Sequence, residues 1–433
     1  MKHFTPTLIS SLFCIILFYT GLLWVNSYEP FFTLVENSKI DFLQGTVVSN
    51  PVKSSSGKTY SVVFSPSKVG TKSKISGSAS GEVTLYIPAE IVEAYYPGKL
   101  NTIAKGLVVN TKKVDNHLSS EFSESLIGAE SEFPIVENGV FLDCEVSFLE
   151  RDDGSAAFYV EKILSHGYKS KISFFRGYSR LMLKRILYNW GETGGLLLAL
   201  LSGSKEYTTS ELQENFSKAG LAHVLALSGM HLSIFAALPT KVTRKKSNLV
   251  SLWVVVLFVW FAGLSPSLFR ALLCLILNIL FSKLKIKTNL LGILSLSFLI
   301  QISIFPNHIF NYGFILSYSA LVGLDLGQKI FLPLFCRLFP KRISSDLSSS
   351  LGAQLITGPI CLLGFGTCSP VGVISSVIVS PIATIFLSLG IFALILSLFI
   401  PFLLMPFGCI MSLIYVILDW IVNFFAKFPI IQI

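Results

Sequence analysis

The 433 residues are 52% hydrophobic and only 14% charged, with 34 Lys and Arg against 25 Asp and Glu, a net charge of +9. Soluble domains carry about 25% charged residues, so the composition excludes an ordinary soluble enzyme and points to a chain built largely for a bilayer. Only Cys144 of the seven cysteines falls in the polar N-terminal region, and no CxxC or Cys/His zinc spacing occurs, which excludes a disulfide scaffold there and a zinc site of that type.

Residues 7–26 form an apolar run after the single Lys2. The run outlasts a signal-peptide core, and Asn26-Ser27-Tyr28 offers no small-residue cleavage site. Residues 1–36 are therefore expected to be a retained membrane anchor with its N-terminus inside. Residues 37–168 change character. Gly45-Thr46-Val47-Val48, Tyr60-Ser61-Val62-Val63-Phe64, Glu82-Val83-Thr84-Leu85-Tyr86-Ile87, Gly106-Leu107-Val108-Val109 and Phe141-Leu142-Asp143-Cys144-Glu145-Val146 read as strands. Turn residues separate them, at 54–57, at Pro97-Gly98 and at Asp152-Asp153-Gly154. Five or more such strands predict an all-β, OB-like barrel. Residues 41–168 hold 11 basic and 16 acidic residues, a net of −5, and the rest of the chain carries +14. Within the barrel, 41–113 holds nine Lys and four acids, so a nucleic-acid face is expected on that first part.

Residues 169–192 place Arg176, Arg180, Lys184 and Arg185 at helical spacing among Phe174, Leu181, Leu187 and Trp190. That is the pattern of an amphipathic helix in the membrane interface, anchored to anionic headgroups. From 193 to 433 the chain is nearly all apolar, with spans expected near 219–238, 249–264, 266–282, 288–305, 311–326, 349–366, 371–397 and 408–427. The run 194–203 is too brief to cross alone. The basic stretches Lys241–Lys246, Lys283–Lys287 and Lys329–Arg342 should be cytoplasmic. The intervening spans return each to the same side, which leaves residues 37–168 extracytoplasmic. The fold class is thus a polytopic α-helical membrane protein with an extracytoplasmic β insert.

Polar residues inside the apolar half are the candidates for function, since such groups are costly at membrane depth unless they face protein or a water-filled path. His223, Ser228, Gly229 and His231 fall within one apolar segment, and Gly229 permits a helix break there. Packing of both histidines against neighbouring backbone is the structural alternative. Ser228 lacks the G-x-S-x-G setting of a hydrolase nucleophile. Arg270 is the single basic residue between 247 and 282. It can pair with Asp325 or Asp419, snorkel to the interface, or contact phosphate through its planar fork.

Five elements carry a resemblance. Gly195-Leu196-Leu197-Leu198-Ala199-Leu200-Leu201-Ser202-Gly203 followed by Ala222-His223-Val224-Leu225-Ala226-Leu227-Ser228-Gly229-Met230-His231 resembles the LLLG-like run and HLLAISGLH pattern of the ComEC competence family. Gly263-Leu264-Ser265-Pro266-Ser267-Leu268-Phe269-Arg270-Ala271 is similar to its G-x-x-P-S-x-x-R-A element, and Gly313-Phe314-Ile315-Leu316-Ser317-Tyr318-Ser319-Ala320 to its G-F-x-L-S-F-x-A element. Ala353-Gln354 through Pro359, then Phe365-Gly366 and Pro381, resemble its A-Q-x-x-x-x-P, F-G and closing proline. Ser375-Ser376-Val377 departs from the usual Asn of a further element. The resemblance implies a channel for single-stranded DNA in the bacterial inner membrane, used in natural transformation. It implies no catalytic role, no cofactor and no metal. None of the six histidines lies in the H-x-H-x-D-H cluster of the metallo-β-lactamase-like domain that many members carry, and no P-loop is present. The expected partners are therefore single-stranded DNA, a separate translocating ATPase, a separate nuclease, membrane lipid and further copies of the chain. His223, Ser228, Gly229, His231, Arg270 and Gln354 are expected on the DNA path, and Tyr60, Phe64 and Tyr86 are offered to stack bases, with ordinary barrel core as their alternative reading. A secondary transporter of an anionic solute and a membrane-embedded enzyme are the alternatives. The first calls for internal repeats and the second for clustered carboxylates, and the sequence displays neither.

Overall fold

Buried and part-buried side chains alternate along Thr59–Gly70 and Val83–Pro88, the period expected of strands with one face in a core. The computed structural model describes residues 5–20, 31–54, 56–72, 76–98, 102–108, 126–150, 156–243 and 248–433. The chain divides into two units, one of Tyr28–Leu198 with Ser204–Tyr207, the other of Met1–Ser27, Ala199–Gly203 and Thr208–Ile433. The expected basic stretch at 244–246 and the turn at 152–154 lie outside the described residues.

The first unit is a closed barrel of β1 (Phe42–Val47), β2 (Thr59–Gly70), β3 (Val83–Pro88), β4 (Phe141–Glu150) and β5 (Ala156–Gly167). β1 pairs antiparallel with β2 and β4, β2 with β3, and β4 with β5, while β3 and β5 run parallel and close the ring. The order 1-2-3-5-4 is that of an OB fold. β2 must bend to serve two neighbours. Its register against β1 shifts beside Gly45, where a Cβ would overlap the Ser65 carbonyl oxygen. Leu43, Phe64, Leu85, Leu142, Phe158 and Val160 fill the interior.

Two expectations change. Of the strand expected at 106–109, Gly106 and Leu107 end a helix, Thr102–Leu107, that buries Ala104; Val108 makes a bridge to Ile163, and Val109 lies outside the described residues. β5 has no clean alternation in the sequence, because exposed Glu161 and Lys162 interrupt it where its register against β4 slips twice.

Residues Lys171–Tyr188 form the expected helix, α2 by chain order after α1 (Thr5–Tyr19), capped by the Ser170 hydroxyl. Its polarity is inverted on one side. Arg180 and Lys184 are buried, not turned to headgroups, because two carboxylates lie opposite them. Arg180 Nε lies 2.8 Å from Glu137, and Lys184 pairs with both Glu137 and Glu206, the latter at 2.7 Å. Tyr96 and Ser204 each donate to Glu206 at 2.8 Å. Burial opposes the charge on Glu137, but the Arg180 and Lys184 charges outweigh it and hold the carboxyl below its usual range. Ile172, Phe175 and Tyr178 are exposed on the same helix.

The second unit is helical. α3 (Gly191–Ser202) crosses the boundary between the units, and the helical unit contains α4 (Ser210–Lys218), α5 (Gly229–Thr243), α6 (Asn248–Ala262), α7 (Pro266–Lys283), α8 (Leu290–Ile304), α9 (Tyr312–Phe335), α10 (Lys341–Phe365), α11 (Gly372–Phe399) and α12 (Leu404–Ala426). Among the described residues five helices (α7, α9, α10, α11 and α12) are long and apolar enough to cross a membrane; this is a multi-pass membrane protein. α9 and α10 meet backbone to backbone. A Cβ on Gly327 would overlap Ser348 O, and one on Gly352 would overlap Gly323 O, the small-residue contact that lets helices approach closely in lipid. The expected span at 219–238 is divided. A one-turn helix, Ala222–Leu225, ends in extended backbone at Ala226, and α5 begins at Gly229.

Two buried groups of the barrel set opposing pH dependences. Burial raises Asp143 from 3.8 to about 6 and lowers His166 from 6.5 to about 4. Between these limits the folded chain keeps a proton on Asp143 that the unfolded chain has released, so stability falls as pH rises, by about 3 kcal/mol. At His166 the unfolded chain holds the extra proton, so stability rises with pH by a similar amount. We expect Asp143→Asn to leave the His166 trend, making the barrel less stable at pH 4.5 than at pH 7. His166→Gln should leave the reverse trend. Urea unfolding of the chain in micelles, followed by near-ultraviolet circular dichroism of the buried tyrosines, measures both; parallel pH profiles for the two variants would contradict the assignment.

Candidate functional site

The break between the one-turn helix and α5 is held by α7. Ser265 caps α7 with Pro266 at its first position, and Ser267 Oγ in its first turn donates to Leu227 O at 2.7 Å. The chain at 226–228 is thereby fixed outside a helix, with a backbone carbonyl satisfied by a side chain. Within the break the Ser228 amide donates to His231 Nδ1 at 3.1 Å, and Ser228 Oγ lies 3.1 Å from the same nitrogen. A ring nitrogen that accepts an amide proton is the bare one, so Nε2 carries the hydrogen in the neutral ring. His231 is fully buried, and its Nε2 has no hydrogen-bond partner among the described residues. Because Nδ1 is already engaged by the amide, His231 is poorly placed to take the Ser228 hydroxyl proton, which argues against Ser228 as a nucleophile.

Arg270 lies one turn into α7 and is 6% exposed. Its Nη1 donates to Ser317 O on α9, and its guanidinium carbon stands 5.8 Å from the Tyr318 ring centroid. Nη2 lies 3.4 Å from the point a Gly229 Cβ would occupy. Nε is buried with no hydrogen-bond partner among the described residues. Tyr318 is fixed in turn, donating to Gln301 Oε1 at 3.1 Å and lying 3.2 Å from Ser297 Oγ, while Gln301 Nε2 donates to Pro266 O at 3.1 Å. The expected carboxylate partners are engaged elsewhere. Asp325 pairs with Lys329 one turn along α9, and Asp419 accepts from Asn423 at 2.9 Å. Snorkelling is likewise excluded by burial. Arg270 keeps a charge among neutral groups, the costly arrangement that marks function inside membranes.

Gln354 belongs to a second cluster. Its Nε2 donates to Ser369 O at 3.1 Å, and its Oε1 lies 3.3 Å from the Cβ point of Gly372. Gly220, with φ of +74°, packs against Gly372, and Ser375 Oγ donates to Ala219 O at 2.7 Å. Gln354 is therefore brought to the start of the 219–231 segment rather than to Arg270. His223 is exposed on the one-turn helix between the clusters.

In the barrel, Tyr60 and Phe64 are 0% exposed, and Tyr60 Oη donates to Glu93 at 3.0 Å. Neither presents a ring face, so the expectation that they stack bases is corrected: they are core, as alternate inward positions of β2. Tyr86 is half-buried. Among the described residues no group of three or more His, Cys, Asp or Glu could hold a metal ion. Ser267, Gln301, Ser317 and Tyr318 were not singled out from sequence. Ser267, Ser317 and Tyr318 sat inside matched elements, whereas Gln301 lay in an apolar run with only its polarity as a signal.

The family described as Competence protein matches residues 200–433, which include both clusters. The chain belongs to the competence-protein family. It resembles ComE operon protein 3 of Bacillus subtilis (strain 168), with 29% identity over 203 residues, 45% of this chain and 25% of that protein. An uncharacterized protein of Aquifex aeolicus (strain VF5) is 27% identical over 233 residues, 53% of this chain and 54% of the relative. The competence-family chain thus spans about a quarter and about half of these two relatives. No solved structure matches it. The ComEC-type membership read from the motifs stands.

For the second cluster we expect Gln354→Leu to leave Ser369 O without its donor inside the bundle and to cost about 1–3 kcal/mol. The measurement is the midpoint of thermal unfolding in detergent; an unchanged midpoint would show that Gln354 does not hold the 369–372 turn.

Proposed function

We propose that this competence-family protein forms a conduit for single-stranded DNA across the bacterial inner membrane during transformation. The observation that carries the proposal is the Arg270 guanidinium, buried beside a fixed helix break and paired with no carboxylate among the described residues. A pathway for a polyanion calls for uncompensated positive charge and for backbone released from a helix, and both occur at one place. Membership of the competence family supports a role in DNA uptake, and the Bacillus relative carries the name of the ComE operon. The chain acts as a path and not as an enzyme. A separate ATPase supplies the motor and a separate nuclease removes the other strand. The basic stretches at Lys283–Lys287 and Lys329–Arg342 set the cytoplasmic side by the positive-inside rule, which leaves the barrel extracytoplasmic, where it receives the strand.

Uptake of labelled DNA into a nuclease-protected cytoplasmic pool tests the proposal. A deletion strain should bind DNA at its surface and internalise none. Complementation with Arg270→Ala at wild-type protein level should restore no more than about a tenth of wild-type uptake, the scale expected when one charged contact is lost. A deletion strain that internalises DNA normally would overturn the proposal.

A further inference from the structure

We infer that the free edge of Arg270 and the first turn of α5 together form a station for a single backbone phosphate of the passing DNA strand. This rests on the conduit proposed above and names its binding chemistry.

A guanidinium has one side, Nε with Nη2, whose two N–H groups run parallel and match two oxygens of a phosphate. In Arg270 the other nitrogen, Nη1, is committed to Ser317 O, and the Tyr318 ring lies against the group. The committed nitrogen and the ring fix which edge is left. That edge faces Gly229, with Nη2 3.4 Å from the Gly229 Cβ point and Nε buried and unpartnered among the described residues. Gly229 is the first residue of a helix of 15 residues, whose first-turn amides have no acceptor within the helix. Helix N-termini of this kind bind anions. His231, in the same first turn, adds a second buried N–H without a partner, at Nε2. The Arg270 edge and the first turn of α5, with its amides and the His231 Nε2 hydrogen, therefore offer donors with no carboxylate bonded to Arg270 or His231 among the described residues, and the ligand that satisfies them is an anionic oxygen pair. Inorganic phosphate, a lipid headgroup and a DNA phosphodiester share that chemistry. The position beside a helix break in a competence-family bundle assigns it to the phosphodiester. Gly229 has a role in this beyond flexibility. A methyl group there would sit in ordinary contact with Arg270 Nη2 and Ala271 Cβ and leave α5 intact, yet would occupy the space beside the free edge that the phosphate needs.

The test uses the full chain purified in neutral detergent and two fluorescent probes, a short oligothymidylate and the same oligomer with uncharged methylphosphonate linkages. Wild type should bind the charged oligomer about ten- to a hundredfold tighter, as expected for charge-assisted hydrogen bonds. Gly229→Ala and Arg270→Lys should each lose most of that preference, Arg270→Lys while keeping the positive charge, and Gly229→Ala without lowering the unfolding temperature. Retention of the preference in Gly229→Ala overturns the station, as does equal binding of the two probes by wild type. If phosphatidylglycerol displaces the oligomer as well as excess unlabelled oligomer does, the site is a lipid headgroup site and the inference fails. A strain without the protein that still internalises DNA would sink the conduit itself, whereas a required conduit with no phosphate preference would sink only the station.

Discussion

A buried guanidinium without a carboxylate has to be oriented by neutral groups, and much of the helical unit is arranged around that requirement at Arg270. Ser317 O takes one nitrogen, and the Tyr318 ring lies against the group. Tyr318 is itself held by Gln301, and Gln301 by the carbonyl of Pro266 at the start of the helix that carries Arg270. The chain of bonds therefore closes on itself. Replacing the cation by a hydrocarbon would cost this network little in polarity and would spare its desolvation. Stability alone gives no reason for the charge, which is why its presence bears on function.

The barrel unit solves the same physical problem in the opposite way. Arg180 and Lys184 are as deeply buried as Arg270, but Glu137 and Glu206 neutralise them, and Tyr96 and Ser204 donate to Glu206. A charge-balanced network of this kind fixes one packing arrangement. Comparing the two sites separates a structural cation from a functional one by what surrounds it, since burial is common to both.

The membrane class, the strands at 45–48, 60–64, 82–87 and 141–146 and the break at Gly229 were legible in the sequence, because composition, period-two alternation and an isolated glycine each have a direct physical meaning. The family was legible because five elements kept their order. What escaped was tertiary. The helix at 102–107 and the strand β5 were hidden where alternation is irregular or interrupted by charge. Basic spacing in Lys171–Tyr188 suggested headgroups, and nothing local announced that Glu137 and Glu206, distant in sequence, would meet Arg180 and Lys184. For the same reason Tyr60 and Phe64 were offered as stacking residues, although inward alternation along β2 places them in the core. Arg270 was recognised as exceptional, but that Asp325 is taken by a lysine one turn away could be seen only once the helix was built.

The central claim is that the break at 226–229, beside Arg270, lies on the path of DNA. The most direct measurement places a photocrosslinking residue at Leu227 and illuminates cells in which uptake of labelled DNA is arrested by a bulky terminal block. A covalent adduct between the protein and the DNA that forms only during uptake, and is absent with the crosslinker moved to exposed Leu398 on α11, is the predicted result. Uptake that proceeds normally with no adduct at Leu227 would contradict the account, because a strand that crosses the bundle elsewhere has no use for the charge at Arg270.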